Sequence, residues 1–311
     1  MITFLSGGTG TPKLIQGFRK LIRDNEMAIV ANSGDDFWFH GLYISPDIDT
    51  ILYLFSDLLD YQKYWGIKDD TFNTISFLDK LGMESWFHLG DRDLGVHLFR
   101  TSRIQSGLNL SEITRELTER LNIKANIFPC SDTHIETRII TKKREDIHFQ
   151  EFWVKRRGDV EIDDVYIKGI ENAIVPLVVL ETIKKSDLII IGPSNPITSI
   201  GPIIKMEQIR KCLIENRKKC IAVSPIIGNK PVSGPTGKLM KALGMETSSK
   251  GVADIYRDLC SAIIIDETEK NIDSKITKQT GIEVLRKNIL FKDTENAKQL
   301  AEFILKWSKN K

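Results

Sequence analysis

The chain has 311 residues, 41% of them hydrophobic, and 44 basic side chains stand against 42 acidic ones for a net charge of +2. This is an ordinary globular composition that can bury a large core. It carries no sign of a nucleic-acid surface, so any phosphate affinity must come from where groups are placed and not from bulk charge. No apolar run approaches the roughly eighteen residues a membrane helix needs and no signal-peptide pattern opens the chain, so a cytoplasmic protein is expected. Cys130, Cys212, Cys220 and Cys260 show no C-x-x-C spacing, which argues against a zinc site and against a disulfide framework.

Ile2-Thr3-Phe4-Leu5 reads as a short apolar strand. It runs into Ser6-Gly7-Gly8-Thr9-Gly10-Thr11-Pro12-Lys13, after which Leu14, Ile15, Phe18, Leu21 and Ile22 recur at helical spacing. Gly7, Gly8 and Gly10 let the backbone approach an oxyanion, and the helix behind them offers unpaired N–H groups and its positive end. Pro12 fits a first helical turn, where a missing N–H costs nothing. The loop departs from the dinucleotide fingerprint, because Lys13 stands where G-x-G-x-x-G ends in glycine, and the next strand, Met27 to Ala31, has no acidic residue at its tip to hold a ribose. A Walker P-loop also fails: Gly234-Pro235-Thr236-Gly237-Lys238 lacks the spacing and the following Ser or Thr.

Asn32-Ser33-Gly34-Asp35-Asp36 should lie beside the glycine loop, since neighbouring parallel strands present their carboxyl ends together. Asp35 and Asp36 there suit either a hard cation such as Mg²⁺ held against a diphosphate or a solvated turn. Ser45-Pro46-Asp47-Ile48-Asp49-Thr50 follows. Asp49 either caps the next helix or sets a carboxylate at the mouth of the crevice, for a metal or for an attacking hydroxyl. From Asp49 to Asn122 no convincing strand is found, and the helical faces Ile51 to Leu59 and Leu110 to Leu121 define a helical insertion over about residues 50–122. Within it, His88-Leu89-Gly90-Asp91-Arg92-Asp93-Leu94-Gly95-Val96-His97 concentrates ionisable groups without an H-E-x-x-H pattern. His88 and Asp91 are read as ligand-facing, His97 as packing or surface.

Ala125–Phe128 is the next strand, and a β excursion over about residues 133–169 pairs Thr137–Thr141 with Phe149–Val154 across a charged turn. Strands are then expected at Leu188–Ile191, Cys220–Val223, Ala262–Ile265 and Ile289–Phe291. A helix is expected through Met206, Ile209, Cys212 and Leu213, and a closing helix over Thr294–Trp307 with a lysine-rich tail. The loop Gly192–Pro202 brings Ser194 and Asn195 into the same register, and Ser224–Gly228 with Ser233–Lys238 forms a further polar loop. The pattern implies one α/β domain over residues 1–311, a Rossmann-like doubly wound, mostly parallel sheet with a helical insertion and a small β excursion, and a ligand at the carboxyl ends of its strands.

Five blocks, Ile2 to Leu14, Asn32 to Asp36, Ser45 to Thr50, Leu89 to Asp93 and Gly192 to Pro196, together resemble the 2-phospho-L-lactate transferases of deazaflavin coenzyme biosynthesis. The resemblance implies transfer of 2-phospho-L-lactate from lactyl-2-diphospho-5′-guanosine to the ribityl hydroxyl of 7,8-didemethyl-8-hydroxy-5-deazariboflavin, with release of GMP. It also implies Mg²⁺ dependence and a homodimer. The family's acceptor-site aspartate falls on Asp49, and a position often basic in relatives is His88, an imidazole in place of a fixed cation. On this reading Gly7, Gly8, Thr9, Gly10, Thr11 and Lys13, with Asn32, Ser33 and Gly34, cradle the donor phosphates, and Ser194 and Asn195 meet the guanylyl part. Asp35, Asp36 and Asp49 hold the metal, while Asp49, His88 and Asp91 meet the substrate. Trp86 and Phe87 offer a wall for the flat ring or pack in the core, and Asp49→Ala is expected to keep the fold and lose turnover. A nicotinamide-dependent oxidoreductase and a nucleotide sensor without turnover are the alternatives.

Overall fold

The computed structural model describes residues 1–309; the end of the lysine-rich tail, Asn310 and Lys311, lies outside the described residues. The first half of the chain runs β1 (Ile2–Ser6), α1 (Gly10–Phe18), β2 (Met27–Ala31), a hairpin of β3 (Phe37–Phe39) and β4 (Leu42–Ile44), then α2 (Pro46–Phe55), α3 (Asn73–Lys80), α4 (Asp91–Gln105), α5 (Leu110–Arg120) and β5 (Asn126–Pro129). The excursion follows as β6 (Glu136–Thr141), β7 (Asp146–His148) and β8 (Ile162–Lys168). The chain returns through α6 (Leu177–Lys185), β9 (Leu188–Ile191), α7 (Gly201–Lys205), α8 (Glu207–Glu215) and β10 (Cys220–Val223). A small hairpin of β11 (Ile226–Ile227) and β12 (Lys230–Pro231) leads to α9 (Thr236–Ala242), α10 (Ser249–Tyr256), β13 (Ala262–Ile265), α11 (Asp273–Thr280), β14 (Glu283–Arg286) and α12 (Thr294–Ser308).

Seven strands form one parallel sheet in the order β14-β13-β10-β9-β1-β2-β5. The chain winds outward from β1 through β2 to β5, then restarts at β9 on the other side of β1, so the winding reverses between β1 and β9. Loops leaving two such strands diverge to opposite faces of the sheet and leave a crevice at its carboxyl edge. Because the strands are buried on both faces they read as near-continuous apolar runs. Alternate β1 residues serve opposite layers: Phe4 packs with Leu14, Ile15 and Phe18 of α1 and with Leu300 and Ile304 of α12, while Leu5 joins Ile189 and Ile191 in the core that includes Val179, Ile183 and Ile209.

Helices α2 and α5 of the expected insertion pack on the sheet itself, in the layer that holds Ile51, Leu52, Ile113 and Leu117. The segment between them, with α3 and α4, stands above the carboxyl edge. A small separate core there joins Phe37, Phe39 and Ile44 of the β3–β4 hairpin to Ile75 and Leu89, with Trp86 and Phe87 against it. The sequence reading had no strand in that hairpin.

Two expected strands need correction. Phe149–Val154 is not the partner of β6. The partners are β7 and β8, and the chain makes a π-helical turn over Glu151–Lys155 that buries Phe152 and is pinned where Arg156 pairs with Glu151 and Glu145 at 2.8 Å each. Ile289–Phe291 is not a strand either. The edge strand is Glu283–Arg286, whose mixed sequence suits a half-exposed edge, and Ile289 is buried beyond it with its N–H on Asp266 Oδ2 at 3.3 Å.

Candidate active site

The crevice between β1 and β9 opens into a cleft of about 420 Å³ whose lining includes Gly8, Thr9 and Gly10, Asp35, Asp47 and Asp49, and Asn195 and Thr198. Gly8 takes a left-handed φ of +57°. A side chain at Gly10 would run into the Pro193 carbonyl, so the glycine loop and the β9 loop touch backbone to backbone. Helix α1 starts at Gly10 with no side-chain cap and no acidic residue in its first turn; Pro12 has no N–H and the Thr11 N–H is taken by Ser194 Oγ, which leaves the Gly10 N–H and the helix's positive end open to an anion.

Several residues expected at the ligand make bonds between the loops themselves. Ser194 Oγ accepts from Thr11 N at 3.2 Å, meets Thr11 Oγ1 at 2.7 Å and donates to the Gly7 carbonyl, stitching the two loops together. Asn32 Nδ2 donates to Asp47 Oδ2 at 2.9 Å and to the Thr198 carbonyl at 3.2 Å, while its Oδ1 accepts from Gly34 N at 2.8 Å. Ser33 lies against Cys130 Sγ, at 3.3 Å from its N–H and 3.2 Å from its hydroxyl. Lys13 holds its ammonium 4.7 Å from the centre of the Tyr64 ring, beside the rim. Gly7, Thr11, Lys13, Asn32, Ser33 and Gly34 thus shape the cleft from behind its lining.

The acidic groups divide into two sets. Asp35 and Asp47 are both buried and both line the cleft. Burial, reinforced by Asp47 and Asp36, pushes the Asp35 carboxyl well up, and its Oδ1 has no partner. Burial likewise pushes Asp47 up to about 6, against the Asn32 amide and the Gly8 N–H. Two adjacent carboxylates without a cationic partner call for a proton or a cation. Asp36 stands behind them, raised by burial, with Oδ2 taken by the Ser45 hydroxyl at 2.9 Å.

Asp49 belongs to the other set. Its two oxygens face the Arg100 guanidinium, with Nη1 at 3.1 Å from Oδ2, and its side chain is not the cap of α2. Asp35, Asp36 and Asp49 are therefore not gathered around one point, and among the described residues no three His, Cys, Asp or Glu side chains form a metal-binding group. An ion that takes one or two carboxylates and completes its shell with phosphate oxygens fits the Asp35–Asp47 pair.

The ten-residue block from His88 to His97 is also divided. His88 lines the cleft, but Asp91 does not. Asp91 accepts from Asn73 N at 3.0 Å and Thr74 N at 2.9 Å, while Asp70 accepts from Arg92 N at 2.9 Å, so each aspartate caps the helix that follows the other. Those donors, the Thr71 hydroxyl first, hold the Asp91 carboxyl well below its usual range. A side chain at Gly90 would strike the Asp70 carboxylate. His97, read from sequence as packing or surface, lines the cleft with Asp93 and Tyr53. Tyr64, Trp65, Phe87, Phe149 and Trp153 give it an aromatic wall, of which Trp65 and Trp153 are 43% and 39% exposed. Trp86 packs inward, stacked on Phe37 with ring centres 6.0 Å apart.

Asp47, Asp93, His97 and Thr198 also line the cleft, though the sequence reading did not name them as ligand-facing. Each lies in a block that reading had singled out: Ser45–Thr50 for Asp47, His88–His97 for Asp93 and His97, and Gly192–Pro202 for Thr198.

The fold and the cleft define a Rossmann-like α/β protein with an anion-shaped pocket at its topological switch point. A solved UPF0052-family protein from Bacillus halodurans shares this fold at a TM-score of 0.64 and 16% identity, covering 98% of each chain. The family profile described as "2-phospho-L-lactate transferase CofD" matches residues 2–299. The chain is 46% identical to a 2-phospho-L-lactate transferase of Methanosarcina acetivorans over 97% of both chains. It is 43% identical to one of Methanocaldococcus jannaschii over 99% of this chain and 98% of that one. The chain belongs to the 2-phospho-L-lactate transferase family, and it is a transferase.

Proposed function

We propose that this enzyme moves the 2-phospho-L-lactate group of lactyl-2-diphospho-5′-guanosine to the ribityl hydroxyl of 7,8-didemethyl-8-hydroxy-5-deazariboflavin, releasing GMP and forming the non-glutamylated coenzyme F-420 precursor. The observation that carries this reading is one cleft whose lining includes Gly8, Thr9 and Gly10 at the start of α1, the carboxylate of Asp49 and the aromatic side chains of Tyr64, Trp65, Phe87 and Trp153. The acceptor oxygen bonds to the lactyl-bearing phosphorus as the bond from that phosphorus to the bridging oxygen breaks. GMP leaves with that oxygen, and the hydroxyl proton passes to solvent or to the departing phosphate.

Phosphoryl-group transfer of this kind depends on positioning and charge neutralisation, and it asks for no protein nucleophile. The Gly10 N–H and the positive end of α1 meet the donor phosphates. The unpartnered Asn195 Nδ2 and Thr198 Oγ1 supply hydrogen bonds beside them, and Asp49 orients the acceptor hydroxyl. Mg²⁺ held by Asp35 and Asp47 would neutralise diphosphate charge. Trp65, Phe87, His88 and Trp153 offer faces and edges to the flat ring.

This reading takes the enzyme as a cytoplasmic homodimer with small-molecule substrates. The near-balanced charge supports the absence of nucleic acid, and among the described residues no helix is long and apolar enough to cross a membrane. The test is to mix donor, deazariboflavin and Mg²⁺ and follow GMP by chromatography, omitting each component in turn. GMP formed in step with the phospholactylated product supports the proposal. A nucleotide that binds without turnover supports the sensor, and NAD(P)H consumption the oxidoreductase.

A further inference from the structure

Behind Asp49 lies a buried chain of ionic contacts that the phosphate-binding loops do not use. Arg100 of α4 is fully buried and faces Asp49 with both terminal nitrogens, Nη1 on Oδ2 at 3.1 Å and Nη2 on Oδ1. Burial alone would draw its pKa down, but Asp49 more than offsets this and holds the guanidinium cationic. The same Nη1 donates toward His97 Nδ1 at 3.2 Å; His97 Nε2 stands 3.2 Å from Asp93 Oδ1 without completing a hydrogen bond, and the Tyr53 hydroxyl donates to that oxygen. Although burial opposes it, these partners hold the Asp93 carboxyl below its usual range. Asp49, His97, Asp93 and Tyr53 line the cleft, and Arg100 stands behind them.

An apolar side chain of similar volume would serve stability as well as a buried ion pair does. What the fork adds is direction. Two parallel N–H···O bonds allow the carboxylate one orientation, and a lysine's single ammonium cannot impose it. Each Asp49 oxygen still has a second lone pair, so a carboxylate fixed from behind can accept from a hydroxyl in the cleft.

We propose that Arg100 is a positioning residue for the transfer, acting through Asp49 to fix the carboxylate that orients the acceptor hydroxyl. This rests on the phospholactate-transfer reading and on Asp49's place in it. Arg100 is fully buried and absent from the cleft lining, so on this proposal its effect exists only while Asp49 is there to receive it.

The test is a double-mutant cycle of Arg100→Lys and Asp49→Asn on the full chain, reading kcat and the KM for donor, with a thermal melt of each variant. Arg100→Lys should lower kcat about a hundredfold, the scale of a small misplacement of reacting groups, and leave the donor KM within about twofold. Added to Asp49→Asn it should cost less than about threefold more, because residues acting as a unit are not additive. A loss that multiplies with that of Asp49→Asn, or one carried by the donor KM, overturns the proposal. If Arg100→Lys gives no cooperative melt, His97→Gln replaces it in the same cycle. A loss of about tenfold that vanishes in the Asp49→Asn background is then expected for a displaced fork, and an undiminished loss overturns the proposal. A native enzyme that releases no GMP overturns the transfer reading and this inference together, whereas an active enzyme with multiplicative losses overturns this inference alone.

Discussion

Asp49 joins a structural partner, the buried Arg100, to the part proposed for it in the reaction. From sequence, Asp49→Ala was expected to keep the fold. The buried Arg100 changes that outcome, since removing one partner leaves an uncompensated charge worth about 3–5 kcal/mol. Urea melts should therefore show Asp49→Ala strongly destabilised. Asp49→Asn, which keeps one acceptor for the fork, should be less so and still lose turnover by about a hundredfold or more. Asp47 presents the opposite case. Its carboxyl is raised to about 6, so its ionised form is disfavoured in the folded state; stability is highest below the unfolded pKa near 3.8 and is lost as pH rises through about 6. Asp47→Asn should therefore stabilise the metal-free chain at pH 8 by about 3 kcal/mol and raise its Tm, while lowering activity. Mg²⁺ should raise the Tm of the native chain and leave that of Asp47→Asn nearly unchanged.

At the scale of elements, the β excursion is held against the β3–β4 hairpin by a buried imidazole. His148 of β7 stacks on Phe37 with ring centres 5.2 Å apart, and its Nδ1 accepts from Gln150 N at 3.1 Å. Burial, with Arg138 and His134 assisting and Glu136 opposing, lowers its pKa to about 4. A histidine lowered in this way contributes fully above the unfolded value near 6.5, and its contribution is lost as pH falls from there through about 4, to a limit of about 3 kcal/mol. The stability difference between the native chain and His148→Asn, from urea melts at pH 7.5 and pH 4.5, should shrink by part of that amount. An unchanged difference contradicts the assignment. Neither this contact nor the hairpin was legible in the sequence: Phe37-Trp38-Phe39 and Leu42-Tyr43-Ile44 are three-residue strands, too short for a period-2 signal, and their stability comes from Trp86, Phe87 and Leu89 some forty residues away. The sheet strands were legible because burial on both faces writes apolar runs directly into the chain. Asp91, expected at the ligand, lies outside the cleft lining in a pair of helix caps that only the fold brings together.

For the whole molecule, the reversal of winding at β1 puts Gly8, Asn32 and Asn195, far apart in sequence, at one crevice. This placement was readable from the alternation of strands and helices and from the polar loops that follow them. The roles within it were not, because Asn32 and Ser194 are spent on loop-to-loop bonds and the guanidinium behind Asp49 comes from Arg100 of α4, 51 residues further along the chain. A protein of near-zero net charge must concentrate its anion affinity in such a place. The most direct measurement is a diffraction study of crystals soaked with guanosine diphosphate and Mg²⁺. The diphosphate should lie against the N–H groups of Thr9 and Gly10, with the ion between it and the carboxylates of Asp35 and Asp47. A diphosphate seated away from the β1–β9 crevice would contradict the account.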